Sequence, residues 1–444
     1  MSVSQATRLG DQGNPRIGKV RYGILAMLFA VTVVNYADRA TLALAGPSML
    51  RQFGLSPVSL GIVFSAFAWT YMLAQIPGGW LLDRYGSKMV YFFSIFAWSI
   101  FTLLQGGVHL LAATAVVTVL FVLRALVGLA EAPSFPANSR IVAAWFPTAE
   151  RGTASAIFNS AQYLATALFA PIMGTIVTLL GWPWVFYLMG GLGLVLGLLW
   201  LVTVYEPEND PRVGAAELAH IRGGGGLVDP LAATQSDPAA SRGQVLRLLG
   251  NRMFLGICIG QYCISVLTYF FLTWFPVYLV QQRGMSILNA GFVASIPALC
   301  GFAGGILGGL ASDRLFRRGL SLTAARKIPI VAGLLMSTAM IACNYVDTQW
   351  LIVAIMAVAF LGKGIGALGW AVVSDIAPRP LIGLCGGIFN TFGNVAGITT
   401  PIIIGFLVQG SGAFDGALIF VGANAIVAVL SYVLIVGEIR RLNV

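Results

Sequence analysis

Five ionisable side chains lie inside long apolar stretches of this sequence. They are Asp38 and Arg39 in VVNYADRATLAL, Arg124 and Glu131 in FVLRALVGLAEAPSF, and Lys363 in FLGKGIGALGW. At membrane depth each charge costs about 2.5–3.5 kcal/mol, so such groups face the protein interior or a cavity. The set carries a net charge of +1 with both acids ionised and +3 with both protonated. It therefore favours an anion most strongly when the acids hold protons, which is the charge balance of an anion–proton symporter.

The residue types suggest separate roles. Arg39 and Arg124 have forked guanidinium groups, which match carboxylates through two hydrogen bonds. Protonation of Asp38 and Glu131 would free these arginines for the anion. Asp38 and Arg39 are neighbours that point about 100° apart on a helix, so they are poorly placed to neutralise each other. Arg124 and Glu131 are two turns apart and share a helix face.

Neutral polar and aromatic residues near these charges could hold the hydroxyl groups of a substrate. Tyr36 lies three residues before Arg39, on the same helix face. Trp370 follows Lys363 by seven residues, which a continuous helix places on one face. The other candidates are Tyr71, Gln162 and Asn390. As alternatives, each of these residues packs between helices, and the five charges form a purely structural network.

The elements that position these residues are membrane-spanning helices. The chain has 444 residues, of which 58% are hydrophobic and 9% charged, and its mean hydropathy is +0.87. Soluble domains carry about a quarter charged residues. At roughly 20 apolar residues per span, the sequence predicts an all-α membrane protein with twelve transmembrane helices. They are expected at 22–46, 58–82, 89–107, 112–137, 153–177, 184–205, 253–280, 287–311, 327–346, 350–374, 383–409 and 413–437.

A polar segment at 206–252 divides the spans into two sets of six that resemble each other. GGWLLDRYG and GGLASDRLF, one in each set, both place Asp-Arg after a glycine-rich helix end. A duplication predicts two pseudo-symmetric six-helix halves, 22–205 and 253–437, packed around a central site as in many secondary transporters. We interpret the repeated pairs as gates or latches; they are Asp83 with Arg84 and Asp313 with Arg314.

Positive charge predicts the orientation. By these spans, all but five Lys and Arg residues lie in the tails, in the loops on one side, or at the edge of those loops. The positive-inside rule then places both tails, 1–21 and 438–444, in the cytoplasm, with the spans in the bacterial inner membrane. This asymmetry accounts for the net charge of +10 without a nucleic-acid partner. We expect a monomer.

Other classes of protein are disfavoured. The sequence has no Walker loop, nucleophile elbow or metal-ligand cluster. We therefore expect no enzyme, no cofactor and no metal site, and an ion gradient rather than ATP as the energy source. The five cysteines are interpreted as small apolar fillers, and His109 and His220 as solvated. A receptor or channel is an alternative, although a channel does not need duplicated halves.

Several segments resemble a known family. GGWLLDRYGSK, between the second and third spans, resembles the G-x-L-x-D-R-x-G-R-K motif of the major facilitator superfamily, with Ser87 where arginine is usual. WFPTAERGTA and NYADRA resemble its anion:cation symporter branch. EAPSFPANSRIVAAWFP, GQYCISVLTYFFLTWFPVYLV and GKGIGALGWAVVSD are similar to segments of the bacterial D-glucarate/D-galactarate permeases within that branch.

This resemblance implies the major facilitator fold and proton-coupled import of a sugar diacid by alternating access. It implies carboxylate binding by Arg39 and Arg124 and proton coupling through Asp38 and Glu131. The implied contacts with substrate hydroxyl groups are Tyr36, Tyr71, Gln162, Trp370 and Asn390. One alternative is a sugar monoacid, D-galactonate or a hexuronate. Another is organophosphate:phosphate antiport, which has no need for two buried acids.

Lys363 supports a hypothesis of its own. Glucarate and galactarate carry a carboxylate at each end, whereas galactonate and glucuronate carry one. A third cation in the second half could hold the distal carboxylate while the first-half arginines hold the proximal one. The alternative for Lys363 is a structural charge beside Glu131 or Asp38.

Overall fold

The computed structural model describes residues 18–228, 242–378 and 382–442, and their regular structure is helical. Within these residues, twelve helical spans are long and apolar enough to cross a membrane, as the sequence predicted. In chain order the helices are α1 Val20–Phe53, α2 Pro57–Tyr85, α3 Ser87–Gly106, α4 Ala113–Glu131, α5 Ser134–Trp145, α6 Thr148–Leu180, α7 Pro183–Thr203, α8 Ala215–Gly223, α9 Arg242–Gly250, α10 Arg252–Tyr269, α11 Phe275–Gln281, α12 Ile287–Arg317, α13 Leu322–Ser337, α14 Gln349–Gly366, α15 Gly369–Ile376, α16 Ile382–Ser411 and α17 Asp415–Leu430.

The helix ends follow local sequence signals. Ser56 precedes α2 and accepts a hydrogen bond from the Ser59 amide at 3.1 Å, with Pro57 as the first helical residue. Asn251 caps α10 in the same way by accepting from two backbone amides. Such caps satisfy amide groups that have no partner inside the helix. Gly54 ends α1 in the left-handed conformation, φ +64°, which glycine adopts without strain.

Among the described residues, three of the candidate spans each contain two α-helices. α4 and α5 form one span, broken between Glu131 and Ser134. A π-helical turn, Phe270–Trp274, joins α10 to α11. α14 ends at Gly366 and α15 begins at Gly369. Irregular backbone at membrane depth requires protein or a cavity to satisfy its polar groups, and π-helical turns often occur at functional sites.

The predicted polar segment contributes a short helix, α8, that docks against the first half. Glu217 on α8 is fully buried and accepts hydrogen bonds from the backbone amides of Val20 and Arg21, each at 3.2 Å. Arg21 also lies 3.1 Å from Glu150, and Glu150 is 3.1 Å from His220 Nε2. The interpretation of His220 as a solvated residue is therefore wrong. Residues 229–241 of this segment, and 1–17 of the predicted tail, lie outside the described residues.

The two halves meet closely at the end of the bundle away from Gly18 and Leu442, which we call the distal end. A Cβ atom on Gly61 of α2 would lie 2.3 Å from the Pro401 carbonyl oxygen of α16. On the other side, a Cβ atom on Gly291 of α12 would lie 2.6 Å from the Ala170 carbonyl oxygen of α6. Only glycine allows helix backbones to approach this closely in a membrane. These two contacts hold the halves together at the distal end.

His109 lies near this end, in the turn after α3. Its Nδ1 is 2.7 Å from the Gly106 carbonyl oxygen, and its ring meets the edge of Trp182 at 6.2 Å between centroids. It is therefore packed, and the interpretation of His109 as merely solvated is wrong.

Candidate functional site

The centre of the first half contains a buried ion pair between α1 and α4. Arg39 Nε donates to Glu131 Oε2 at 2.9 Å, and Arg39 Nη2 lies 2.8 Å from the same oxygen. The Glu131 side chain is fully buried and that of Arg39 is 9% exposed. Glu131 is the last residue of α4, so the interruption before α5 places its carboxylate in the bundle interior.

Aromatic rings surround the Arg39 guanidinium. Its central carbon lies 4.8 Å from the ring centroid of Tyr36, 4.5 Å from that of Phe67 and 4.9 Å from that of Tyr71. Cation–π contacts of this length are attractive, most of all where water is excluded. Tyr36 lies on the face of Arg39, as its spacing predicted, and Tyr71 lies beside it.

Asp38 points to a different partner from Arg39, as predicted for neighbouring residues on a helix. Its Oδ2 accepts a hydrogen bond from Thr102 Oγ1 of α3 at 2.7 Å. Arg124 of α4 is the cation that interacts most strongly with Asp38, and its Nη2 donates to the Arg39 carbonyl oxygen at 3.4 Å. The two acids are thus each associated with one arginine.

Several polar atoms of these charged side chains form no hydrogen bond with the described residues. Asp38 Oδ1, Glu131 Oε1 and the Nε and Nη1 atoms of Arg124 are buried without a hydrogen-bond partner among the described residues. Buried polar atoms are almost always hydrogen-bonded. Unsatisfied charged atoms at the centre of a bundle therefore indicate a place where a proton, water or polar ligand binds.

A cavity lies between the two halves beside this group. It has about 500 Å³ of space between atoms, including its open mouth. The first half contributes Tyr36 and three residues of α6, Gln162, Tyr163 and Thr166. The second half contributes Thr268, Phe271, Leu272, Ala294, Ala298, Phe360 and Lys363. Tyr36 connects this cavity to Arg39, because its ring contacts the guanidinium.

The other predicted contacts are placed differently. Asn390 of α16 donates to Gln75 Oε1 of α2 at 3.3 Å, so it joins the two halves near their centre. Trp370 lies beyond the break between α14 and α15, is 52% exposed, and packs edge-on against Phe389. The prediction that Trp370 shares a continuous helix face with Lys363 is therefore wrong, because the helix ends at Gly366.

The predicted gating residues lie near the end of the bundle that carries the termini. Arg84 is exposed and contacts the rings of Trp80 and Tyr85. Asp313 is exposed and lies 3.6 Å from Arg326 of the same half, and Arg314 is exposed as well. The side chain of Asp83 lies outside the described residues.

Some residues of the site were not among the sequence-based candidates. Thr102 is the hydroxyl donor to Asp38, but a single threonine in an apolar span carries no sequence signal. Tyr269 of α10 is close enough to Arg39 to interact with it electrostatically. Its position depends on the packing of the two halves, which a sequence pattern does not give.

Two observations concern metal binding and the cysteines in the part of the chain that the structure describes. No group of three or more His, Cys, Asp or Glu residues with metal-ligand geometry occurs among these residues. The five cysteines are free thiols; Cys300 is partly buried and the other four are buried. This agrees with their interpretation as packing residues.

Comparisons with known proteins give one consistent family. Residues 28–325 match the model of the Major Facilitator Superfamily. The chain is 60% identical over 423 residues to the "Probable galactarate/D-glucarate transporter GudP" of Bacillus subtilis, which covers 95% of this chain and 93% of that protein. It is 43% identical over 429 residues to the "D-galactonate transporter" of Escherichia coli, with coverage of 96% and 98%.

Solved structures share the fold at low sequence identity. A D-xylose–proton symporter superposes with a TM-score of 0.71 at 16% identity and covers 96% of this chain and 100% of its own. The inward-open xylose transporter XylE from Escherichia coli gives a TM-score of 0.73 at 14% identity, with coverage of 94% and 97%. The relatives are transporters rather than enzymes, and the chain belongs to the major facilitator superfamily of multi-pass membrane transporters.

Proposed function

We propose that the protein is a proton-coupled symporter that imports a sugar diacid, galactarate or D-glucarate, by alternating access. The observation that carries this proposal is the buried Arg39–Glu131 ion pair, with Arg124 beside Asp38 as a second association of an arginine with an acid. Each arginine that could bind a substrate carboxylate is associated with a carboxylate of the chain. Substrate binding and protonation of that acid therefore favour each other.

The coupling follows from charge. While Glu131 is ionised, it occupies the guanidinium fork of Arg39. A proton on Glu131 weakens this ion pair and leaves Arg39 available for a substrate carboxylate, which it binds through two hydrogen bonds. Asp38 acts in the same way on Arg124. Because a ligand shifts a conformational equilibrium only through differential affinity, the protonated and loaded transporter changes conformation more readily than the deprotonated and loaded one.

The substrate class is supported by the relatives. The protein from Bacillus subtilis that shares 60% identity is named for galactarate and D-glucarate, as is the protein from Pseudomonas putida that shares 53%. In this proposal the hydroxyl groups of the substrate are held by Tyr36, Tyr71, Gln162, Trp370 and Asn390. A sugar monoacid is the second candidate, because the "D-galactonate transporter" shares 43% identity over nearly the whole chain.

Orientation and movement complete the proposal. By the charge asymmetry of its loops, both termini are cytoplasmic. The protein is taken to lie in the inner membrane as a monomer. The halves 22–205 and 253–437 move as units, joined by the segment 206–252. In this proposal the distal end, where Gly61 and Gly291 bring the halves together, faces outward. The Asp-Arg pairs act as gates at the cytoplasmic end; they are Asp83 with Arg84 and Asp313 with Arg314.

The test is uptake into proteoliposomes under an imposed inward proton gradient. Labelled D-glucarate is followed and competed by galactarate, D-galactonate, glucuronate and glycerol 3-phosphate. Gradient-dependent uptake that both diacids block and monoacids block weakly supports the proposal. If galactonate or glucuronate blocks uptake best, the substrate is a monoacid and the proposal of proton coupling stands. Uptake that does not depend on the imposed proton gradient overturns the proposal of proton symport.

A further inference from the structure

Lys363 differs from the arginines of the site in having no described anionic partner. Its side chain is buried on α14, with 5% exposure. Among the described residues its recorded contacts are with the rings of Phe360 and Tyr163, at 5.1 and 5.9 Å from the ammonium nitrogen to the ring centroids. A buried charge without a counter-ion is unfavourable in a membrane interior. The expected counter-ion for Lys363 is therefore a ligand.

The backbone around Lys363 is fixed from both sides. A Cβ atom on Gly362 would lie 2.4 Å from the Gly333 carbonyl oxygen of α13. A Cβ atom on Gly364 would lie 2.3 Å from the Gly301 carbonyl oxygen of α12. The two glycines that flank Lys363 thus hold α14 against two neighbouring helices. Its side chain lines the cavity between the halves, and this fixed placement reduces the cost of ordering a bound ligand.

The cavity connects Lys363 to the first-half arginine. Tyr36 lines the same cavity as Lys363, and its ring lies 4.8 Å from the Arg39 guanidinium carbon. A ligand that occupies the cavity beside Tyr36 therefore has Lys363 of the second half in the cavity wall and the Arg39 guanidinium of the first half behind the Tyr36 ring. This arrangement fits a molecule with one carboxylate at each end. Gln162 and Tyr163 line the cavity between them.

We propose that Lys363 binds the second carboxylate of the substrate and so determines the preference for sugar diacids over sugar monoacids. This proposal rests on the proposed function, since it takes the ligand to be a sugar acid held by Arg39 at its other end. It assigns a specificity-determining role in the second half, whereas Arg39 and Arg124 bind a carboxylate that diacids and monoacids share.

The first test is equilibrium binding to purified full-length protein in detergent, without a proton gradient. The wild type, Lys363→Met and Lys363→Arg are each titrated with D-glucarate and with D-galactonate. We expect Lys363→Met to weaken glucarate binding by about tenfold or more and to change galactonate binding by less than about twofold. Lys363→Arg should keep the preference for the diacid. Lys327→Met, on α13 and outside the cavity, is the matched control and should behave as wild type.

Equal weakening of both ligands by Lys363→Met, or no effect on either, overturns the proposal. If this variant does not fold, the wild type still decides the question with a second ligand pair, D-glucarate and its monoamide, which lacks one negative charge. We expect the monoamide to bind about tenfold more weakly, and equal affinity overturns the proposal. Failure of the proposed function is seen separately, as uptake of glucarate that does not respond to the proton gradient.

Discussion

Arg39 and Glu131 lie 92 residues apart in the chain and form an ion pair in which two nitrogen atoms of the arginine share one carboxylate oxygen. The second oxygen, Oε1, has no hydrogen-bond partner among the described residues. The pair is buried, and aromatic rings surround the Arg39 guanidinium. In the proposed mechanism, a proton on Glu131 or a substrate carboxylate on Arg39 separates the two residues.

We predict that Glu131→Gln abolishes concentrative uptake and spares exchange. The amide keeps the size of the side chain but removes the negative charge, so Arg39 is permanently available for substrate. Glucarate accumulation driven by a proton gradient should fall to the level of the gradient-free control. Counterflow exchange of glucarate should stay within about threefold of wild type. Both are measured in proteoliposomes.

The control for this variant is Asp347→Asn. Asp347 is fully exposed and lies 3.7 Å from Arg283, whose side chain is 11% exposed. A solvent-exposed carboxylate contributes little to such an ion pair. It should transport as wild type. Accumulation by Glu131→Gln at the wild-type level would show that Glu131 does not couple protons to transport.

The spans could be predicted because a lipid environment requires each crossing segment to satisfy its own backbone hydrogen bonds. Their ends were less predictable. The first span was expected to stop at 46, yet α1 continues to Phe53 with Pro47 inside it. Pro usually ends a helix in water, but neighbouring helices satisfy the freed groups inside a membrane protein.

The partners of the charged residues could be predicted only in part. Neighbouring positions on a helix were enough to separate Asp38 from Arg39. That Arg39 pairs with Glu131, and Asp38 with Thr102, depends on how α1 packs against α4 and α3. The sequence of a single chain does not reveal this packing. The predicted position of Trp370 was wrong because the seven-residue spacing assumed a continuous helix. The helix breaks between Gly366 and Gly369, and the sequence GIGALG does not by itself reveal this break.

We predict that Gly61→Ala prevents closure of the distal end. The added Cβ atom would lie 2.3 Å from the Pro401 carbonyl oxygen, and neither can rotate away, because the oxygen belongs to the backbone and the backbone fixes the position of Cβ. The variant should favour the outward-open conformation and lose about tenfold or more of its transport rate. Since alanine favours helices over glycine, the loss would not reflect a weaker α2.

Thiol labelling measures this shift directly. Thr166→Cys places a thiol in the cavity, in a chain whose five native cysteines are replaced by alanine. A membrane-impermeant maleimide added from outside should label it faster in Gly61→Ala than in its parent. Gly191→Ala is the matched control, because nothing lies within 4 Å of a Cβ atom there. Equal labelling in the two glycine variants contradicts the prediction.

We predict that Glu217→Ala releases α8 from the first half. The buried carboxylate accepts from the amides of Val20 and Arg21 and from the Arg21 side chain, so its loss leaves the start of α1 without an acceptor. Hydrogen exchange of the amides in 215–223 should accelerate about tenfold or more. Glu208→Ala removes a largely exposed partner of Arg222 and should leave this exchange unchanged. Similar exchange in both variants would mean that Glu217 does not hold α8.

We predict that the docking of α8 weakens in acid, because Glu150 must stay ionised. Partial burial raises the pKa of Glu150, but hydrogen bonds from His220 and Arg21 outweigh this effect, and the net pKa lies below its ordinary value of 4.5. A carboxylate whose pKa is lowered by docking contributes stability above its ordinary pKa and loses it as the pH falls through the lowered value.

Hydrogen exchange of 215–223, corrected for its intrinsic pH dependence, should therefore rise only below about pH 4.5 in the wild type. In Glu150→Gln this acid-dependent rise should be smaller, and exchange should already be faster at neutral pH. A rise in wild-type exchange between pH 7 and pH 5 would instead assign control of the docked helix to a group other than Glu150.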